Sequence, residues 1–422
     1  MTAHTALLKT FVMSSGERYC LLVDSESGVP LFHPSLFVTT QVRNAGLSVS
    51  SMQTALTAIN VLYTYCRAQQ INLETRLVSG EYLAEFELDG LRDYCQRSFK
   101  QSSKPQETNV VSMRSGIRVG RVQAVSVVKP AVVYTRLSLI ADYLAWLAKI
   151  LLQGALNSDR SSKVERMCGG LRARRPLSRA RSTVNAEKGL SKEQLADLLE
   201  IVRVDSPRNP FADQGVRVRN NLIIQLLLGL GVRGGELLNL RVSDIDWQLG
   251  HVIVARRPDE KKDPRVHQPL VKTLDRRVPI NSALLAAVRD YVMSVRRKIP
   301  GAKRHEYLLV VHKPGPTLGA PLSKQGYFKV IEKIAAASEM NARLHGHLLR
   351  HTWNQNFSEY LDSLKNPPSE AEQEKIRSYL QGWKEGSGTA ATYNSRFIRK
   401  KAAEASLSLQ KDMMRLPKGI NK

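Results

Sequence analysis

Between Ser158 and Lys188 the chain reads as a tract of Arg, Ser and Gly, including Arg172, Arg174, Arg175, Arg179 and Arg181, with no sustained apolar period. Such a tract has too little apolar surface for a core of its own, so it predicts a connector with a folded part on either side. Length agrees, since 422 residues exceed what one core usually serves at about 150 residues per domain. The reading is a hairpin-like N-terminal extension (1–45), a helical domain (46–157), the basic connector (158–189) and a larger domain (190–422).

Before the connector, Tyr19, Leu21 and Val23 alternate ahead of Ser25-Glu26-Ser27-Gly28, and Pro30 to Phe37 follows, which predicts a hairpin turning at Ser25–Gly28. From Ser51 to Arg67 the residues Met52, Leu56, Ile59, Leu62 and Tyr63 recur at helical steps. Tyr82 to Tyr94 and Tyr134 to Leu152 read as helices in the same way. After the connector, Ser191-Lys192-Glu193-Gln194 has the form of a capping box and starts a new domain. Helices are expected at Asn220–Leu228 and Gly234–Leu240, strands at Val252–Ala255 and Arg277–Ile280, and mostly helices thereafter. The fold class is mainly α with a small antiparallel sheet in the second domain.

Charge narrows the function. There are 63 Lys+Arg against 38 Asp+Glu, a formal net charge of +25, and the excess lies after the first hundred residues. A surplus of this size favours a polyanionic partner. Nucleic acid outranks membrane, because the longest greasy stretch noted, Leu222 to Val232, is interrupted by Gln225 and too short to span a bilayer. Cys20, Cys66, Cys95 and Cys168 show no CxxC spacing, which argues against a zinc site or disulfide framework. With no secretion signal evident, a reducing cytoplasm fits. The connector arginines Arg172, Arg174, Arg175 and Arg179 are candidates for phosphate contact; solvated linker residues are the alternative.

Three constellations carry chemistry. In Gly231-Val232-Arg233-Gly234-Gly235-Glu236-Leu237-Leu238-Asn239-Leu240, glycines clear the space around Arg233, whose guanidinium could take two phosphate oxygens or pair with Glu236. In His347-Leu348-Leu349-Arg350-His351-Thr352, a helix would set His347 and Arg350 on one face. A metal held by His345, His347 and His351 is the competing reading, weakened because no acidic or thiol ligand stands at suitable spacing. The third is Leu380-Gln381-Gly382-Trp383, followed by Thr389 to Tyr393. A lone tyrosine such as Tyr393 is usually packing.

In order, Arg, His-x-x-Arg, Gly-Trp and Tyr resemble the catalytic signature of the tyrosine recombinase (phage-type integrase) family, over roughly Ser191 to Lys400. That resemblance implies a two-domain clamp around duplex DNA, with residues 46–157 as a core DNA-binding domain. It also implies a lysine on a β-hairpin after the first arginine. Val271 to Ile280 resembles that hairpin and makes Lys272 the best match, with Lys261 and Lys262 as competitors. Trp383 stands where the family more often has His, and the Trp383-to-Tyr393 spacing is one residue longer than usual. The implied roles are Tyr393 as nucleophile on the scissile phosphate, Arg233 and Arg350 as transition-state cations, His347 as proton acceptor and Lys272 as the acid protonating the 5′-oxygen. Trp383 can donate its indole N–H.

No cofactor or metal is expected, and no phosphate-binding GxxxxGK[ST] loop is present. The expected partners are double-stranded DNA, three further copies of the chain in a homotetramer on two DNA sites, and accessory or partner recombinase proteins. The expected setting is a mobile genetic element in the cytoplasm, at the nucleoid. A type IB topoisomerase and a catalytically silent DNA-binding protein are the alternatives. Ile398, Ala402, Ala405, Leu409 and Met413 form an apolar stripe that Pro417 would end, packing on its own domain or on a neighbouring copy.

Overall fold

The computed structural model describes residues 6–99, 107–108, 122–123, 126–154, 157–177, 189–338, 344–386, 402 and 405–410. Two compact units divide the chain, one of residues 1–13 and 18–183 and one of 14–17 and 184–422.

The first unit begins with an antiparallel hairpin, β1 (Leu7–Val12) and β2 (Arg18–Val23), in the register Leu7 to Val23 and Val12 to Arg18. β2 therefore has a partner before it, which the sequence reading did not name, in addition to the segment expected after it. Turn signals flank β2 on both sides, and the chain pairs across the earlier one, Ser14-Ser15-Gly16. Ser25–Gly28 forms the expected short reversal, held by the Asp24 carboxylate, which accepts from the backbones of Glu26 and Ser27, and across it Val23 bridges antiparallel to Pro30. Residues Phe32–Phe37 then form helix α1, which runs on through a π-helical turn to Arg43. Nor is the hairpin a detached extension, because Tyr19, Cys20 and Leu22 belong to the same core as the helices.

Helix α2 (Val49–Ala68) buries Met52, Leu56, Ile59 and Leu62, as its spacing predicts. Each fully buried side chain of this size contributes about 1.5–3 kcal/mol relative to exposure. Two shorter helices follow, α3 (Leu73–Ser79) and α4 (Glu85–Tyr94), and then a two-residue antiparallel pair, β3 (Glu107–Thr108) and β4 (Val122–Gln123). Helix α5 (Pro130–Leu151), opened by Pro at its first position, packs on α2. It is 22 residues long and, by length and composition, apolar enough to cross a membrane, although Arg136, Asp142 and Lys149 interrupt it. Leu137, Ile140, Ala141, Leu144, Leu147 and Ala148 are nonetheless fully buried in the core.

The tract expected to be a connector is helical in its first half. Helix α6 (Ser158–Ala173), capped by the Asn157 side chain, buries Val164, Met167, Cys168 and Leu171 against α5 and α4. These four residues do recur at three- and four-residue steps, but on a stripe too narrow to stand out among Arg, Ser and Gly. All four cysteines are buried, and burial pushes the thiols of Cys20, Cys66 and Cys95 up to about 12 and that of Cys168 to about 11.

In the second unit, α7 (Lys192–Val202) starts at the expected capping box: Gln194 N donates to Ser191 Oγ, and Ser191 N to Gln194 Oε1. Helix α8 (Gln214–Leu230) forms the centre of the core and ends at Gly231; α9 (Gly234–Asn239) follows after a two-residue turn. The sheet has the order β5 (Ile245–Asp246), β6 (His251–Val254) and β7 (Arg276–Pro279), all antiparallel, with Val252 opposite both Ile245 and Val278. Helices α10 (Ser282–Asp290), α11 (Lys324–Ala337), α12 (Gly346–Ser363) and α13 (Glu370–Gln381) complete it.

The long β6–β7 connection is held at both ends. Arg256 N donates to Asp275 Oδ1 at 2.7 Å, and the buried Arg265 donates to both Asp263 oxygens and to the carbonyls of Leu238 and Leu322. Of the C-terminal stripe, Ile398 and Met413 lie outside the described residues, while Leu409 is exposed.

Candidate active site

Glu236 is the point at which this region converges. Its side chain is fully buried on the first turn of α9, where Oε2 accepts from the backbone N of Arg233 at 3.1 Å and reciprocates the helix start. Three guanidinium groups face this one carboxylate. Arg276 Nη2 lies 2.8 Å from Oε2, Arg233 Nη1 3.3 Å from Oε1, and Arg350 Nη1 3.9 Å from Oε2. Thr273 Oγ1 donates to Oε1 at 2.8 Å. Burial alone would raise the carboxyl's pKa, but the charges of Arg276 and Arg350 and the bonds from Arg276 and Thr273 hold it below its ordinary value.

Arg350 is almost wholly buried on α12 and reaches two carbonyls that come from opposite ends of the unit's sequence. Nη1 donates to Gly231 O at 2.8 Å and Nη2 to Gln381 O at 3.1 Å. Its Cζ lies 5.3 Å from the centroid of the Trp383 ring, which is buried. Arg233, by contrast, keeps 30% of its side chain exposed. The two arginines therefore present one fixed and one accessible cation to the same place, an arrangement suited to a phosphate.

His345 caps α12, its Nδ1 accepting from Leu348 N at 3.0 Å. That bond occupies one nitrogen of the three-histidine set considered for a metal, and among the described residues no group of three His, Cys, Asp or Glu is placed to hold one. His347 is exposed on the first turn of α12, its ring 4.4 Å from that of His351 in an edge-to-face contact. Partial burial and the neighbouring charges of Arg350, Arg233 and His345 hold its pKa below the ordinary histidine value. A neutral imidazole beside two arginines can accept a proton.

Lys272 is exposed in the loop before β7 and adjoins Thr273, whose hydroxyl donates to Glu236. That loop is also tied to the end of α13, where Leu274 N donates to Gly382 O at 2.9 Å. Lys261 and Lys262 lie elsewhere in the connection, next to Glu260, which pairs with Arg241 at 2.7 Å. Lys324, at the start of α11, is partly buried; burial and the charges of Lys272 and Arg265 lower its pKa. Sequence reasoning missed Lys324, Thr273 and Arg276. The signal for Arg276 was strand alternation, which puts Arg276 and Val278 on the inner face of β7 and Arg277 and Pro279 on the outer.

Tyr393 and Arg179 lie outside the described residues. Arg172, Arg174 and Arg175 belong to the first unit, where Arg172 pairs with Asp142 at 2.8 Å and Arg174 with Asp89 and Glu85 at 2.6 and 2.7 Å. Arg175 donates to Ser138 Oγ, and its Cζ sits 4.7 Å from the Tyr134 ring centroid.

The arrangement is thus a buried carboxylate facing three guanidinium groups, with a histidine nearby, in a mainly helical unit with a three-stranded sheet. Residues 188–362 match the model of the phage integrase family. The matched segment holds Arg233, Lys272, His347 and Arg350 and stops short of Trp383. Tyrosine recombinase XerD of Halalkalibacterium halodurans is 28% identical over 181 residues, 43% of this chain and 54% of that protein. Tyrosine recombinase XerC of Listeria welshimeri is 23% identical over 178 residues, 42% and 51% respectively. The chain spans about half the length of these curated relatives. Among solved structures, XerA recombinase aligns over 88% of this chain and 97% of its own at 14% identity, with a TM-score of 0.36.

Proposed function

We propose that the chain is a site-specific DNA recombinase that cleaves and rejoins DNA through a 3′-phosphotyrosyl intermediate, with Tyr393 as nucleophile. The observation that carries this reading is the convergence of Arg233, Arg350 and His347 around buried Glu236, inside the segment that matches the integrase family. Arg350, held by two carbonyls, is oriented before substrate arrives, so its charge acts on the pentacoordinate phosphorus without reorganisation. Arg233 completes the clamp from the accessible side.

Tyr393 Oη would form a bond to phosphorus as the bond to the 5′-oxygen breaks. His347 would accept the tyrosine proton, and Lys272 would protonate the leaving oxygen. Rejoining is the reverse: a 5′-hydroxyl attacks phosphorus and the tyrosine leaves. The phosphotyrosyl bond retains the energy of the phosphodiester, so no nucleotide triphosphate is consumed. Trp383, buried against Arg350, would support the site from behind.

The wider assignment follows from the family and the charge. Residues 46–157 serve as a DNA-binding domain that closes with the catalytic domain on duplex DNA, and Arg172, Arg175 and Arg179 contribute backbone contacts, while Arg174 is held by Asp89 and Glu85. Four copies act on two DNA sites, with accessory or partner recombinase proteins, for a mobile genetic element in the cytoplasm, at the nucleoid.

The test is trapping on a nicked suicide substrate. The unmodified chain is expected to yield a covalent protein–DNA adduct, and Tyr393→Phe to abolish it while DNA affinity stays nearly unchanged. An adduct that persists in Tyr393→Phe would remove the nucleophile assignment. Relaxation of any supercoiled plasmid without site dependence would favour a topoisomerase, and binding without nicking a silent DNA-binding protein.

A further inference from the structure

Arg276, which no role in the chemistry has claimed, makes three hydrogen bonds at this centre. Its Nε donates to Leu380 O at 2.7 Å, Nη1 to Thr273 Oγ1 at 3.0 Å and Nη2 to Glu236 Oε2 at 2.8 Å. All three bonds are buried or nearly so, and the side chain is 1% exposed. A single guanidinium thus joins the loop that carries Lys272, the start of the Arg233 helix and the last turn of α13. The neighbouring residues of that turn supply the Gln381 carbonyl to Arg350 and the Gly382 carbonyl to Leu274.

Charge matters as much as geometry here. A buried carboxylate attracts whichever cation can reach it, and Glu236 has three within 4 Å. Arg276 takes Oε2 at hydrogen-bond distance, while Thr273, itself accepting from Arg276, covers Oε1. Arg350 stays at 3.9 Å, beyond a hydrogen bond, and donates to neutral carbonyls. Gly382 makes this packing possible: its φ is +64°, and a Cβ there would meet Arg276 Nη1 and Leu274 O at 2.8 Å.

We propose that Arg276 is a charge-balancing positioning residue: it offsets the charge of Glu236 so that the site keeps a net positive charge for a phosphate and Arg350 keeps its place, and it sets the Lys272 loop against α13. The proposal rests on the recombinase reading above. Without Arg276, Glu236 would draw Arg350 from 3.9 Å to hydrogen-bond distance and off the Gly231 and Gln381 carbonyls, and the transition state would lose a correctly placed cation.

The experiment compares R276Q, R276K, E236Q and E236Q/R276Q in the full-length chain, reading single-turnover adduct formation at saturating suicide substrate, DNA affinity and thermal melting. R276Q is expected to slow cleavage at least tenfold while affinity changes less than threefold. R276K keeps the charge but cannot direct three bonds, and should fall between R276Q and the parent. The discriminating result is rescue: E236Q/R276Q should cleave faster than R276Q, because the carboxylate that captures Arg350 is gone.

A purely structural Arg276 would give no such rescue, and a double variant no faster than R276Q overturns the proposal. So does an R276Q that cleaves like the parent. Should R276Q fail to fold, E236Q and E236Q/R276Q carry the test, since the double variant removes the buried carboxylate together with the guanidinium that balances it. Removing Arg276 from E236Q should then cost less than threefold in rate, and a tenfold loss overturns the proposal. A parent chain that forms no Tyr393-dependent adduct overturns the recombinase reading itself, which separates the two failures.

Discussion

The Arg350 guanidinium donates to the carbonyl oxygen of Gly231 at 2.8 Å, although 119 residues separate the two in the chain. This bond fixes the start of α12 against the end of α8, two helices that share the centre of the same core. Gly231 caps α8 in the left-handed conformation at φ +61°, which turns its carbonyl toward Arg350 and its Cα toward Trp353 and Gln381.

Gly231→Ala should therefore be costly twice. A Cβ would meet Trp353 Cδ2 at 2.6 Å and Gln381 Nε2 at 2.7 Å, and alanine disfavours positive φ. We expect a loss of about 1–3 kcal/mol in stability, read by denaturant unfolding, together with slower cleavage at temperatures where the variant is folded. An unchanged unfolding midpoint would show that the α8 terminus relaxes freely.

For the proton donor, Lys272→Ala is expected to slow cleavage strongly and to be rescued by a 5′-phosphorothiolate substrate, whose sulfur leaves without protonation. Lys261→Ala and Lys262→Ala should do neither, since both lie beside Glu260 rather than Glu236. Lys324 is the informative control: rescue in Lys324→Ala would move the acid to the start of α11.

His347 is held below the ordinary histidine pKa of about 6.5. If it accepts the tyrosine proton, cleavage should rise with pH through that lowered pKa and level off before neutrality. His347→Gln should remove this acid limb and slow cleavage by about 10²-fold or more. A limb that survives the substitution belongs to another group.

His312 offers a stability test away from the site. Burial, with the charge of Arg219, lowers its pKa to about 4, while the unfolded chain has an ordinary histidine. Between those values the unfolded state binds more protons, so the folded state loses stability as pH falls from about 6.5 to about 4, by on the order of 2–3 kcal/mol in total. His312→Phe should flatten that dependence, and an identical pH–stability slope in the variant would show that His312 does not cause it.

The arginines of the former connector separate by what they already hold. Arg174 is engaged by Asp89 and Glu85, so Arg174→Gln should lower the melting temperature of the first unit and leave the salt dependence of DNA binding unchanged. Arg172, paired with one exposed carboxylate, and Arg179 should each flatten the log–log salt slope by about 0.9 if they reach a phosphate. No change in slope for the pair would assign this stretch to folding alone.

What could be read in advance follows from where each signal resides. Helices α2, α4 and α5 carry broad apolar faces, and α7 announces itself by a capping box, so periodicity and turn chemistry found them. Helix α6 escaped because its stripe rests on Val164, Met167, Cys168 and Leu171 amid residues that normally mark loops. The β1–β2 pairing was not read because two turn signals bracket one strand and both are used, the earlier for β1 and the later for the bridge from Val23 to Pro30. At the site, motif order identified Arg233, His347 and Arg350, whereas Glu236 as the shared counter-ion and Arg276 as its partner depend on contacts across 40 residues or more. Distances of that kind have no local imprint.

Because every cysteine is buried with its thiol well above neutral pH, the native protein offers maleimide reagents almost nothing to react with. A single cysteine introduced at an exposed position such as Leu177 or Phe328 would therefore take a fluorophore selectively, with no need to strip the wild-type thiols first. One such label on each unit would make the chain its own ruler for following how the two units move when DNA is added.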